Sequence, residues 1–240
     1  MFRHKGKTRT LRHNLRIASF LSFVAGIVNV VGFLAVQRLT TNVTGHFAFF
    51  IDEVFKMNFW KGLGYFLYIL FFFLGSFVSS FMVETIARRN NHYVYILPTL
   101  TESFILFFAS FFGNFLVEQN PNLLAFILLF AMGFQNSLVT KISRSRVRTT
   151  HLTGLFTDLG IELSQLFFYK EPEQKYKLLS SIGLRVTIIF FFFLGGLLAG
   201  ILYTHTSLGV YTLIIGALIL ILAVIYDEFK LTRTLKKRRI

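Results

Sequence analysis

The 240 residues are 54% hydrophobic, include 32 Phe and have a mean hydropathy of +0.62, which excludes an ordinary soluble domain and calls for a polytopic membrane protein. There are no Cys, so disulfides, thiolate metal sites and cysteine nucleophiles are excluded, and none of the six His pairs with another at ligand spacing. No metal or cofactor is expected, and the net charge of +14, which would suggest nucleic acid in a soluble chain, is read here as membrane topology.

Residues 1–16 form a basic tail carrying Arg3, Lys5, Lys7, Arg9, Arg12 and Arg16. The apolar run that follows, Ile17 to Val36, is too long for a signal-peptide core and lacks a small-residue cleavage site, so it is predicted as an uncleaved first span. Gly26, Asn29 and Gly32 share one of its faces, which should point into the bundle.

Next comes Thr40-Thr41-Asn42-Val43-Thr44-Gly45, and then a Phe-rich stretch to Phe55 that is too short to cross a bilayer. A re-entrant or broken half-helix fits this pattern, as does an amphipathic helix lying at the interface. The second span is predicted from Trp60 to Val83, with small residues at Gly75, Ser76, Ser79 and Ser80, and the third from Tyr93 to Phe112. The third contains Pro98, expected to kink it, beside the carboxyl of Glu102. Gly113 to Asn122 reads as a polar turn.

The fourth span, Leu123 to Thr140, contains Gly133, Gln135 and Asn136 and ends in Lys141, Arg144, Arg146 and Arg148. A second copy of the motif, Thr149-Thr150-His151-Leu152-Thr153-Gly154, leads into a short segment with Asp158 and Glu162 one turn apart. After a charged stretch, Lys170 to Lys177, read as a solvated loop, come a fifth span, Ile182 to Tyr203, a sixth, Leu208 to Tyr226, and a basic tail, 227–240.

The two motifs lie 109 residues apart, and the same offset sets Glu53 on Glu162. Upstream, Asn29 matches Asn136; downstream, Phe71 to Gly75 matches Phe191 to Gly195, in the same order. The sequence therefore predicts an all-α membrane domain of six spans, built as two three-span repeats, 17–112 and 122–226. Three crossings are an odd number, so the second repeat is inverted relative to the first, with a ligand site expected where the repeats meet near the midplane. With both termini in the cytoplasm, all but Arg38, Lys56 and Lys61 of the 25 Lys and Arg fall on cytoplasmic segments.

Two facing half-helix N-termini would offer backbone N–H donors, Thr hydroxyls and close approach at Gly, chemistry suited to an anion or another solute with acceptor oxygens. The expected substrate-binding residues are Thr41, Thr44, Gly45, Thr150, Thr153 and Gly154, with Asn29, Asn136, His151 and Arg148 nearby. Glu102 and Asp158 are the candidates for proton coupling. Plainer readings stand beside these: an intramembrane Asn often only bonds a neighbouring helix, Glu102 can be a neutral acid or one paired with a basic group, and acids early in a helix, as Asp158 and Glu162 are, complement its dipole.

The blocks Ala25-Gly26 with Gly32-Phe33-Leu34, Val43-Thr44-Gly45, Ala131 to Asn136, Val147 to Gly154 and Thr157 to Gly160 resemble the YoaK family of bacterial multipass inner-membrane proteins. The resemblance implies six spans and a bacterial cytoplasmic membrane, and it brings no established substrate. Asn29 stands where that family usually carries Asp, and His46 where it carries Asn, so a first-span carboxylate is not available here.

The resulting expectation is a small inverted-repeat transporter of a small polar or anionic solute. A small-solute channel and a non-transporting scaffold or lipid-binding protein are the rivals. No enzyme is expected, because no intramembrane Ser/His or Asp/Asp pair and no HExxH motif appears. The small-residue faces of the second and fifth spans suit either intrachain packing or a homodimer.

Overall fold

The computed structural model describes residues 10–89, 93–143, 145 and 147–237, with side chains to 229. Of the basic positions above, Arg3, Lys5, Lys7, Arg9, Arg144, Arg146, Arg238 and Arg239 lie outside the described residues. Among those described there are α-helices and one 3-10 turn but no strand: α1 Leu11–Val36, α2 Val43–Phe55, α3 Phe59–Arg89, α4 Ile96–Gln119, α5 Pro121–Ser143, α6 Leu152–Gln165, α7 Pro172–His205, the turn Gly209–Thr212, and α8 Leu213–Lys237. Six of the helical segments are long and apolar enough to cross a membrane. The two short helices, α2 and α6, are not.

Several helices run further than the apolar runs suggest. The stretch expected as a polar turn, 113–122, is helical to Gln119, and only Asn120 separates α4 from α5. Gly113 packs there against Val210, holding the end of α4 to the bundle. Residues 172–177, expected as loop, form the first turns of α7: Pro172 opens the helix, where its missing N–H costs nothing, and Glu173 pairs with Lys177 one turn on. Pro98 falls in the first turn of α4, so it removes no intrahelical bond and is not the mid-helix kink expected.

Two helix pairs form the frame, α1 with α7 and α3 with α5. Each crosses at glycine. A β-carbon on Gly26 would come 2.1 Å from the Phe192 carbonyl oxygen, and one on Gly195 would come 2.1 Å from that of Phe23. In the other pair, Gly75 meets the Phe130 carbonyl and Gly133 that of Phe72, each at 2.0 Å. Only a residue without a side chain lets backbones approach so closely, and the gain is packing and Cα–H···O contact, the forces that join helices in lipid.

Helices α4 and α8 run antiparallel, with Ser103 donating to the Ala217 carbonyl and Ser110 to that of Val210. The core lies among α1, α4, α5 and α8, with Ile17, Leu21, Ile27, Leu106, Leu128, Leu129, Met132 and Leu138 fully buried. Many Phe, among them Phe73, Phe77, Phe81, Phe104, Phe111 and Phe193, lie on the exterior, as expected of a surface facing hydrocarbon.

Candidate functional site

Each Thr doublet folds back onto the span before it. After α1 ends at Val36, Gln37 adopts a left-handed conformation (φ 53°), and the chain returns along the helix. Thr40 donates to the Val28 carbonyl at 3.2 Å and fills the space that a side chain at Gly32 would need. Thr41 donates to Asn29 Oδ1 at 2.6 Å. In the second motif Thr149 reaches both Gln135 Oε1 and Asn136 Oδ1 at 3.4 Å, while Thr150 and Asn136 exchange bonds of 2.6 and 2.9 Å. The matched Asn residues thus bond the matched Thr residues, and neither amide projects into open space alone.

From these anchors the short helices run back alongside the next long helix. Asn42 caps α2 by accepting the Gly45 N–H at 3.1 Å, which takes up one of the free donors of that N-terminus. His46 is buried, its Nε2 2.7 Å from the Leu39 carbonyl oxygen and its ring 4.9 Å from that of Tyr68. Further out, Phe49 stacks on Tyr65 and Phe50 lies against Phe66, so α2 and the start of α3 form an antiparallel hairpin. Thr44 is exposed, and Gly45 faces Leu39 and Asn42 of its own loop.

Helix α6 makes the corresponding hairpin with α7, held by charge. Arg185 spans two carboxylates: Nη1 donates to Asp158 at 2.8 Å, and Nε and Nη2 grip Glu162 at 2.8 and 2.9 Å. Ser181 adds a third bond to Glu162 at 2.6 Å. Partial burial pushes the Glu162 carboxyl up, but the Arg185 and Ser181 hydrogen bonds outweigh this and hold it below the ordinary carboxylate range. Asp158, expected from the sequence as a candidate proton carrier, is in this arrangement one arm of an ion cluster.

A cavity of about 740 Å³ opens beside this hairpin, at the end of the bundle where α1 and α7 begin. Arg148, His151, Gly154, Asp158, Ser181 and Arg185 line it, with Asn14 of α1 opposite. His151 stands at the N-cap of α6 with no side-chain capping bond; burial, and then the charge of Arg148, lower its pKa below the ordinary 6.5. Gly154 leaves open space where a β-carbon would sit. Thr153 is exposed, its carbonyl accepting from Thr157.

Of the second motif only His151 and Gly154 line the cavity, and nothing of the first does, so Thr44 and Gly45 do not share it and neither does Thr153. The reason is local: the Asn29 and Asn136 bonds draw each Thr doublet onto its own first span, and Val28, Val31, Leu128 and Met132 of those spans are fully buried. Glu102 is fully buried on α4, beside Gln135 of α5. Two contributors escape a reading of the sequence by motif. Gln135 completes the polar row behind Asn136 together with Thr149 of the motif, and Arg185 organises the acids of α6. The one signal for the first was a second amide next to Asn136 in an otherwise apolar helix.

Residues 17–226 match the family described as protein of unknown function, DUF1275. The chain belongs to the DUF1275 family. A curated relative, UPF0700 transmembrane protein YoaK of Bacillus subtilis (strain 168), is 23% identical over 189 residues, covering 77% of this chain and 82% of its own. No solved structure matches. The DUF1275 match takes in both Thr-Thr motifs, four of the membrane-length helices whole and most of the first and the last.

Proposed function

We propose that this DUF1275 protein is a small bacterial inner-membrane transporter made of two inverted repeats, α1–α4 and α5–α8, which binds a small anionic solute in the cavity beside the second motif. Support for the inversion comes from helix pairing. Exchanging the repeats turns the α1–α7 crossing into the α5–α3 crossing, glycine for glycine, and the equivalent helices α4 and α8 run in opposite directions. The half-helices correspond as well, α2 lying on α3 as α6 lies on α7. With the Lys- and Arg-rich segments in the cytoplasm, the cavity opens to that side.

The observation that carries the anion reading is Arg148. The other cations around the cavity are engaged, Arg185 by Asp158 and Glu162 and Lys177 by Glu173, whereas no carboxylate among the described residues pairs with Arg148. It stands beside the N-terminus of α6, where the helix dipole and free N–H groups also favour negative charge, and Gly154 leaves that N-terminus open. The test is uptake of inorganic anions and small carboxylates into proteoliposomes. Saturable uptake that is lost in Arg148→Gln and Gly154→Leu supports the proposal. Flux without saturation points to the channel reading.

A lipid-binding role has its own observation, an apolar groove of about 490 Å³ between α1, α7 and α8, lined by Phe20, Phe23, Phe191 and Ile219 with Arg16 at its rim. A tightly co-purifying lipid together with no measurable flux would favour it.

A further inference from the structure

Glu102, two turns into α4, is used by neither the solute cavity nor the ion cluster. It is completely buried, and neither carboxyl oxygen has a hydrogen-bond partner among the described residues. Against it lies the side chain of Gln135, also completely buried, whose Nε2 is near enough to act on the carboxyl but makes no hydrogen bond of good geometry to it or to any other described residue. The other end of that amide is engaged: Oε1 accepts from Thr149, whose hydroxyl also reaches Asn136, and Asn136 is paired with Thr150. A row of polar side chains therefore connects the interior of α4 to the second motif, and the next residue, His151, lines the cavity.

We propose that Glu102 is a reversible proton-binding site whose occupancy is coupled, through Gln135 and Thr149, to the position of the second Thr-Thr motif. An ionised carboxylate with two unpartnered oxygens in this core would cost several kcal/mol, so the arrangement described is that of the neutral acid. Ionisation calls for a donor, and Gln135 Nε2 is the one beside it. Turning the amide to supply that bond disturbs Oε1 and with it the Thr149 contact. Proton binding and motif position are then linked, and such linkage is reciprocal: what stabilises one stabilises the other. The site stands on its own geometry; only its link to the solute rests on the transport reading above.

Nothing else near the carboxyl competes for this role. Helix α4 packs against α5, α8, the 3-10 turn and, lightly, α3, and among the described residues no charged group on them acts on Glu102. On α5, Lys141 is bound by Glu84 of α3. On α8, Asp227 lies ten residues beyond Ala217, the residue that Ser103 of α4 contacts.

Infrared pH-difference spectroscopy on the full chain in lipid nanodiscs tests the proposal without any solute, so its outcome is independent of whether transport is found. A buried carboxylic C=O band should appear and disappear reversibly with pH and be absent in Glu102→Gln. Thr149→Val should shift its midpoint by about one pH unit, a roughly tenfold change in proton affinity, and Thr149→Ser, which keeps the hydroxyl, should restore it. A band that never titrates, one that survives Glu102→Gln, a midpoint unmoved by Thr149→Val, or a band that follows sodium concentration and not pH would each overturn the proposal.

Discussion

Gly26 of α1 stands so close to α7 that a β-carbon there would fall 2.1 Å from the Phe192 carbonyl oxygen, and Gly195 of α7 returns the relationship against Phe23. The contact is reciprocal and made of backbone, so neither helix can yield by rotating a side chain. Gly26→Ala should therefore destabilise the protein by about 1–3 kcal/mol, as overpacking does, and lower its thermal midpoint in detergent. Gly64→Ala, where nothing lies within 4 Å, is the control and should be neutral or slightly stabilising. Equal midpoints for the two variants would show that the crossing tolerates a side chain.

The Asn136–Thr150 pair predicts an energetic coupling. Asn136→Ala and Thr150→Val should each destabilise, and the double variant should cost less than their sum by about 0.6–1.7 kcal/mol, the range of hydrogen bonds between helices in membranes. Additive effects in a double-mutant cycle of unfolding free energies would mean that the bonds contribute nothing to stability.

For the ion cluster, Arg185→Gln should free α6 from α7 and raise hydrogen exchange across residues 152–165. Arg185→Lys should rescue little, since an ammonium cannot reproduce the two-pronged grip on Glu162. The pH dependence has a definite sign. Glu162 is held below the ordinary carboxylate range, so its contribution is complete above that range, about pH 4, and is lost as pH falls through its lowered value. Protection of α6, measured as exchange relative to the intrinsic rate at each pH, should thus fall on acidification in the wild type and be less sensitive to it in Glu162→Gln.

Anion binding in the cavity should strengthen in mild acid. The pKa of His151 is lowered, so the ring is neutral at pH 7 and gains a positive charge only as pH falls below about 6.5, where it adds to Arg148. Affinity for a small anion, followed by calorimetry, should rise over that range in the wild type and stay flat in His151→Gln. Arg148→Gln should weaken binding about tenfold or more at every pH. A wild-type profile that is flat would remove His151 from the site.

How much of this was legible in the sequence depended on how far apart the partners lie. The six membrane-length helices follow from apolar runs, and the pairing of each Thr doublet with its Asn was within reach because a similar spacing occurs twice, from Asn29 to Thr41 and, two residues longer, from Asn136 to Thr150. Helix ends were misjudged where polar residues continue a helix past the apolar run, as at the start of α7, where Pro172 and the Glu173–Lys177 pair take over. Arg185 could not be assigned to Asp158 and Glu162, which precede it by 27 and 23 residues, because nothing in a linear pattern says that α6 and α7 form a hairpin. The crossings were half visible. Phe-x-x-Gly occurs at Phe23, Phe72, Phe130 and Phe192, but in a chain with 32 Phe only the match between Gly75 and Gly195 stood out.

In the proposed inverted arrangement Thr44 and Thr153, both exposed, are reached from opposite sides of the membrane. Because the chain has no Cys, Thr44→Cys and Thr153→Cys each introduce a single thiol. The measurement is the labelling of each by a membrane-impermeant maleimide in right-side-out and in inside-out vesicles. The thiol at 153 should react from the cytoplasmic face and the thiol at 44 from the opposite face; reaction of both from the same face is incompatible with inverted repeats.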